Sequence, residues 1–263
     1  MDARHPGLPF AAACALACVG TFAACEPELN VGEWQCAPGV DSAIPEITAP
    51  VGLPWTTGFE DQFCGYTQLA GFCYAASNAA YTTVTSPVHS GRLAAAFEVD
   101  ADDPDGRQAR CVRQGTFPTA AYYGAWYFVP ERVTDPGVWN LVHFQGGDTT
   151  AQHGLWDISL VTGASGELEV VLFDFLSGMG RGPEPPTPIP IAEWFHLELY
   201  LRRAADATGE VALYQDGELL IQATDLITDD SSYGQWYVGN FADGRTPAGS
   251  KLYVDDVTIR ATR

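Results

Sequence analysis

Lysine is almost missing from this chain: Lys251 stands alone, the other basic residues are arginines, and 13 basic residues face 33 acidic ones. The net charge of −20 argues against nucleic acid or an anionic membrane surface as a partner, because a polyanion would be repelled. The scarcity of lysine itself points to codon usage in the source genome. No stretch carries a sustained 3.6-residue apolar period with caps, which excludes a helical architecture. No repeat of the propeller or solenoid kind occurs. A Gly-x-Ser-x-Gly elbow is absent, and so is a Cys-x-x-Cys pair, which removes the commonest serine-hydrolase and zinc signatures. Paired carboxylates spaced Glu-x-Asp-x-Glu or Glu-x-Asp-x-x-Glu are also lacking, which argues against retaining or inverting glycoside hydrolysis. Glu167 and Glu169 form only a pair at the mouth of a strand.

What is present is a large apolar fraction, 46% of 263 residues, enough to fill the core of one sizeable β-domain. At the N-terminus Arg4 precedes an apolar run from Leu8 to Ala24 that is too short and alanine-rich for a membrane span and reads as an export signal. The run ends Phe22-Ala23-Ala24-Cys25, which resembles a bacterial lipobox and implies lipidation of Cys25; the alternative is cleavage after Ala24 with Cys25 left free. We therefore expect a signal peptide over 1–24, an acidic, proline-bearing linker over 25–54 and a folded domain over 55–263. The protein is expected outside the cytoplasm, on the cell envelope or extracellular, with the membrane touched only through the lipid.

Seven cysteines divide accordingly. Cys14 and Cys18 leave with the signal and Cys25 carries the lipid. Cys36, Cys64, Cys73 and Cys111 remain, an even set for an oxidising compartment. Three pairings are open, and we expect Cys64–Cys73 with Cys36–Cys111.

From Trp55 onward, glycine and proline punctuate short strand-like runs, which predicts an all-β sandwich. The runs are 56–60, 79–84, 92–99, 109–114, 121–129, 139–145, 154–160, 167–175, 194–201, 210–215, 218–224, 235–241 and 252–259. Gln215-Asp216-Gly217-Glu218 reads as a hairpin turn, because Asp-Gly tolerates positive φ. Alternation sorts the faces. Over 139–145, Asn140, Val142 and Phe144 fall on one side, while Trp139, Leu141, His143 and Gln145 fall on the other. In 194–201, Phe195, Leu197, Leu199 and Leu201 oppose Trp194, His196, Glu198 and Tyr200. In 121–129, Tyr123 and Tyr127 oppose Tyr122, Trp126 and Phe128.

Aromatic rings beside amide, imidazole and carboxylate groups suit a polysaccharide, whose C–H faces stack on rings and whose hydroxyls pair with planar polar groups. Tyr123, Tyr127, Trp139, His143, Gln145, Asp157, Trp194 and His196 are the candidates. Three further segments carry a family likeness. Arg107, Arg110 and Arg113 come first, His143-Phe144-Gln145 second, and Trp236-Tyr237-Val238-Gly239-Asn240-Phe241 third. Their order resembles the motifs of the alginate-lyase-type jelly-roll polysaccharide lyases. The run from Trp194 to Gly217 is similar to the heparin-lyase type and to laminin-G-like carbohydrate-binding sandwiches. The resemblance implies a concanavalin A-like jelly roll of two antiparallel sheets, with a glycan as partner and no cofactor for chemistry. For catalysis it implies β-elimination from a uronate: His143 as base, Gln145 and Asn240 neutralising the carboxylate, Arg110 or Arg113 clamping it, and Tyr237 or Tyr123 protonating the leaving oxygen. The sequence departs from the pattern in reversing His and Gln, and in placing Phe241 where the family has its tyrosine. A non-catalytic glycan-binding or adhesive surface protein is the alternative. Carbohydrate-binding sandwiches of this kind also join their first and last strands through Ca²⁺, which would place Glu60, Asp255 and Asp256 around a structural ion.

Overall fold

A computed structural model describes residues 50–67, 71–147, 153–175, 177–229, 231 and 233–263. They form an all-β sandwich. The strands are β1 (Trp55–Thr57), β2 (Phe72–Ala75), β3 (Ala80–Val84), β4 (Ala94–Asp100), β5 (Gln108–Thr116), β6 (Ala120–Phe128), β7 (Val138–Gly146) and β8 (His153–Thr162), followed by β9 (Leu168–Asp174), β10 (Met179–Arg181), β11 (Trp194–Arg202), β12 (Gly209–Gln215), β13 (Glu218–Leu226), β14 (Tyr233–Asp243) and β15 (Gly249–Arg260). One sheet runs β10-β9-β8-β7-β14-β5-β2, and the other β13-β12-β11-β6-β15-β4-β3 with β1 beside β15. All the ladders between these strands are antiparallel.

Period-two burial builds the interior as alternation requires. Phe195, Leu197, Leu199 and Leu201 of β11 are at most 1% exposed and face the other sheet. Trp139, Trp156 and Trp236 join them as the largest fully buried side chains, each removing well over a hundred Å² of ring from water. The β12–β13 hairpin turns at Asp216 (φ 50°) and Gly217 (φ 90°), where the Asp-Gly pair lies in the sequence. Pro50 bridges Thr116, and Val51 packs into the core.

Two strands and a helical turn are additions to the expected set. β2 has four residues, β10 three, and the helix α1 (Cys64–Thr67) four, all too short to show a period. β2 is held by chemistry instead. Cys73 lies opposite Cys111 of β5, and the two form a disulfide. This corrects the expected Cys64–Cys73 and Cys36–Cys111 pairs: Cys73 and Cys111 are register partners facing the interior, whereas Cys64 sits in α1. Cys64 is itself disulfide-bonded. Cys25, Cys36, the expected signal and all but the last few linker residues lie outside the described residues.

Arg203, just beyond β11, fastens one sheet to the other. Its guanidinium pairs with Asp229 and donates to the carbonyls of Phe117 (3.3 Å), Ser231 and Tyr233 (2.8 Å). The two side chains are 4% and 0% exposed.

Candidate functional site

The outward face of the seven-stranded sheet carries a polar cluster at its centre. Register alone places its middle row: Val112 of β5, Tyr237 of β14, His143 of β7, Asp157 of β8 and Phe173 of β9 are successive cross-strand partners. His143 Nδ1 lies 2.7 Å from Asp157 Oδ1. A carboxylate only accepts, so Nδ1 donates, and in the neutral ring the lone pair is left on Nε2. The Tyr237 ring stands edge-on to the imidazole at 4.9 Å. Both members of the His–Asp pair are about one-sixth exposed, at 17% and 14%, so the imidazole is held yet reachable.

On one side of this row a hydrogen-bond chain fixes the phenol. Tyr237 donates to Gln235 Oε1 (2.6 Å), Gln235 Nε2 donates to Gln114 Oε1 (3.0 Å), and Tyr233 donates to the same oxygen (2.9 Å). Gln145 lies across from Gln235 on the same face. Burial pushes the Tyr237 phenol well above its ordinary pKa, opposed only in part by Arg110, so the hydroxyl keeps its proton through the neutral range. On the other side of the row Arg110 Nη2 donates to Asn140 Oδ1 (2.7 Å), and its guanidinium lies over the Phe241 ring (4.9 Å) and near that of Tyr237 (5.8 Å). Asn140 in turn donates to the Val142 carbonyl (2.9 Å).

A β-bulge decides who belongs here. Between Asn140 and Val142 the β7–β8 register slips by one, and β14 slips opposite it between Val238 and Phe241. The extra residue, Leu141, is absorbed into the core, so strict alternation over 139–145 fails. Trp139 therefore points inward, 1% exposed, and donates to Asn240 Oδ1 (3.0 Å). Asn140 points outward, away from Val142 and Phe144, with which alternation had grouped it. Asn240 is also interior: its amide reaches Phe97 O and Ser250 Oγ of the opposite sheet, both at 3.2 Å.

Other expectations are corrected by neighbouring geometry. Arg113 pairs in register with Trp236 and lies on the interior side, its guanidinium 5.7 Å from the Trp55 ring. Tyr123 and Tyr127 lie between the sheets, 2% and 0% exposed, Tyr123 against Phe117, Phe144 and Trp236. Among the described residues their hydroxyls have no hydrogen-bond partner, and burial holds both phenols far above the ordinary pKa. Trp194 and His196 belong to the outer face of the eight-stranded sheet, behind the core from the cluster. Of the proposed catalytic and binding residues, the structure thus gathers His143, Gln145, Tyr237, Arg110 and Asp157, and adds Asn140, Gln114 and Gln235. Tyr233, Gln235 and Tyr237 alternate in the sequence, which was the available signal for that half.

Gly239 makes the Arg110 half possible. Its φ is +138°, and a Cβ there would meet the Ala109 carbonyl at 2.5 Å and the Arg110 Cα at 2.8 Å. Gly239→Ala should cost roughly 1–3 kcal/mol by overpacking against backbone. Chemical denaturation would read that loss, and an unchanged midpoint would show that the β5–β14 pair yields easily.

The carboxylates expected to ligate calcium accept hydrogen bonds, chiefly from the loop at residues 89–93. Glu60 accepts from the Arg92 and Leu93 amides (2.6 and 3.0 Å). Asp255 accepts from His89, Ser90 and Asp256 amides (3.0, 3.2 and 2.8 Å). Asp256 takes His89 Nδ1 (2.7 Å) and Ser90 Oγ (2.9 Å). Among the described residues no three His, Cys, Asp or Glu side chains form a metal-holding group. Next to this loop the His89 ring stacks on Trp126 at 3.8 Å, and His196 approaches Trp126 from β11 at 5.3 Å. Burial lowers the His196 pKa, with Arg260 and Arg263 lowering it further against Glu198 and Asp216. A histidine depressed by folding contributes stability above its unfolded pKa, near 6.5, and that contribution is lost as pH falls through the folded value. His196→Gln should therefore flatten the fall in melting temperature from about pH 7 to pH 5. An identical pH profile in the variant would refute this assignment.

No protein-family profile matches the sequence, and no curated protein matches it. The fold is nonetheless shared with solved structures. An endo-β-1,4-glucuronan lyase from the fungus Trichoderma reesei aligns with a TM-score of 0.53 at 16% identity, over 73% of this chain and 90% of that one. A cellulose-induced protein, Cip1, aligns at 0.58 and 13%, over 79% and 97%. A PL-14 alginate lyase from Aplysia kurodai aligns at 0.56 and 11%, over 78% and 97%. At these identities the likeness is one of fold.

Proposed function

We propose that the chain is a polysaccharide lyase-like protein that performs β-elimination on a uronate-containing glycan lying across the outward face of the seven-stranded sheet. The observation that carries this reading is the central row: an imidazole tied to a carboxylate, with a protonated phenol at its edge and a guanidinium and carboxamides on either side. Elimination needs that set. Arg110, Asn140 and Gln145 neutralise the uronate carboxylate, which lowers the cost of charge developing on it when the adjacent C–H ionises. His143 takes the proton, its Nδ1 held by Asp157. The C–O bond at the β carbon then breaks, a C=C bond forms, and the Tyr237 hydroxyl supplies the proton to the departing oxygen. Asn140 replaces Asn240 in the role the sequence suggested. The neighbours named as glucuronan and alginate lyases support the substrate class, and export with a lipid on Cys25 would place the site where such polymers occur.

The test is direct. Purified protein incubated with glucuronan, alginate, pectin and heparin should generate the ultraviolet absorbance of an unsaturated uronate from at least one of them. Binding without any such product would assign the chain to the second reading, a glycan-binding surface protein. That reading is favoured by the absence of a hydroxyl at Phe241 and by the commitment of the Tyr237 proton to Gln235.

A further inference from the structure

A pocket of about 400 Å³ lies away from the polar cluster and shares no residue with it. It sits at one end of the sandwich and is walled by Glu98, Glu131, Trp139, Arg245, Lys251 and Tyr253, among others. Arg245 is the unusual member. It is 1% exposed, and its guanidinium carbon sits 4.7 Å from the centre of the Trp139 ring. Among the described residues Nη2 donates to the Ala248 carbonyl at 2.8 Å, while Nε is buried with no partner. Asp100 and Glu131 act on it only at longer range, and burial lowers its pKa to about 10. A guanidinium has five N–H donors and a fixed charge, and burying it without a counter-ion is costly.

We propose that this pocket binds a small organic carboxylate, with Arg245 as its anchor. The fork of a guanidinium matches a carboxylate in two parallel hydrogen bonds. The volume lies within the range of small-molecule sites, roughly 300–1,000 Å³. Electrostatics restrict the ligand to a single negative charge. Lys251 neutralises Glu98 at 2.6 Å, and Glu131 remains on the rim to repel a dianion. Tyr253 supplies aromatic wall for the ligand's body, and Trp139 backs the Arg245 guanidinium.

Calorimetric titration of the intact protein with sodium glucuronate and sodium benzoate, against glucose and inorganic phosphate, tests this. Both carboxylates should bind, and glucose and phosphate should not. Arg245→Lys should weaken carboxylate binding roughly tenfold or more, since the bidentate fork is lost. Because Arg245 is buried and its replacement risks the fold, Gly249→Phe is the companion variant. Gly249 lines the pocket, and a Cβ there has no heavy atom within 4 Å, so a phenyl ring is accommodated at the pocket wall, narrows the site and leaves Arg245 in place. It should abolish the pocket's share of carboxylate binding, the share that survives Arg110→Gln, with an unchanged melting temperature. Titrating the Arg110→Gln variant, which lacks the guanidinium that clamps a carboxylate in the polar cluster, separates the two sites, since the pocket's affinity should survive there. Phosphate binding as tightly as the carboxylates, no carboxylate binding at all, or full affinity in Gly249→Phe overturns the proposal.

Discussion

Replacing His143 by alanine should lower the rate of uronate elimination by about 10²- to 10⁴-fold, the range that a positioned acid or base contributes. The imidazole is the group of the central row suited to taking a carbon-bound proton near neutral pH. Its loss leaves Asp157 without its 2.7 Å partner, and at 14% exposure that carboxylate is partly rehydrated, so the fold should persist. Asp157→Asn tests positioning separately. The amide can still hold the ring but can present its N–H to Nδ1 and favour the other tautomer, so the rate should fall with the KM for the glycan little changed. Tyr237→Phe removes the proton donor while keeping the ring against His143, and should depress turnover as well. Elimination at the parental rate in His143→Ala would end the assignment.

The largest effect on stability is expected at Arg203. Arg203→Met should destabilise the protein by about 3–5 kcal/mol, because the fully buried Asp229 would lose the guanidinium that pairs with it. For a domain of this size the midpoint should fall by roughly 6–20 °C. Beyond the charge, three carbonyls lose a donor, two of them at Ser231 and Tyr233, where β14 begins. The strand that carries Gln235 and Tyr237 should loosen from its start. Asp229→Leu placed on top of Arg203→Met should recover part of the loss, since two apolar groups bury no charge. Thermal unfolding of the two single variants and the double variant measures this coupling, and additive losses would show that the pair is not the source.

How far the sequence alone could be read follows from where alternation holds. β11 alternates without interruption, and its core row of Phe195, Leu197, Leu199 and Leu201 is as the pattern requires. In β14 the two-residue spacing of Gln235 and Tyr237 was a usable signal for one shared face, and both lie on it. Failures cluster where a local rule is broken by tertiary context. Tyr123 and Tyr127 look like a polar row because of their hydroxyls, yet they are the inward residues of β6, and the outward row is Tyr122, Trp126 and Phe128. Two aromatic rows on one strand give alternation nothing to separate. Arg113 is interior because Trp55 offers it a ring, and β1 is far away in the chain. The disulfide was misassigned because β2 was too short to be recognised, so the register that sets Cys73 against Cys111 was hidden.

The slip at Leu141 gives the gene an unequal sensitivity to two kinds of change. Most substitutions within 139–145 alter one side chain and leave its neighbours facing as before. Loss of a single codon there would restore unbroken pleating and turn one end of the strand over relative to the other. Either the Trp139 indole would be expelled into solvent with Asn140 drawn inside, or His143 and Gln145 would be driven into the greasy interior. Natural length variation should therefore be tolerated in the connections between strands and be purged from this one short segment, where reading-frame-preserving deletions would inactivate as surely as truncations.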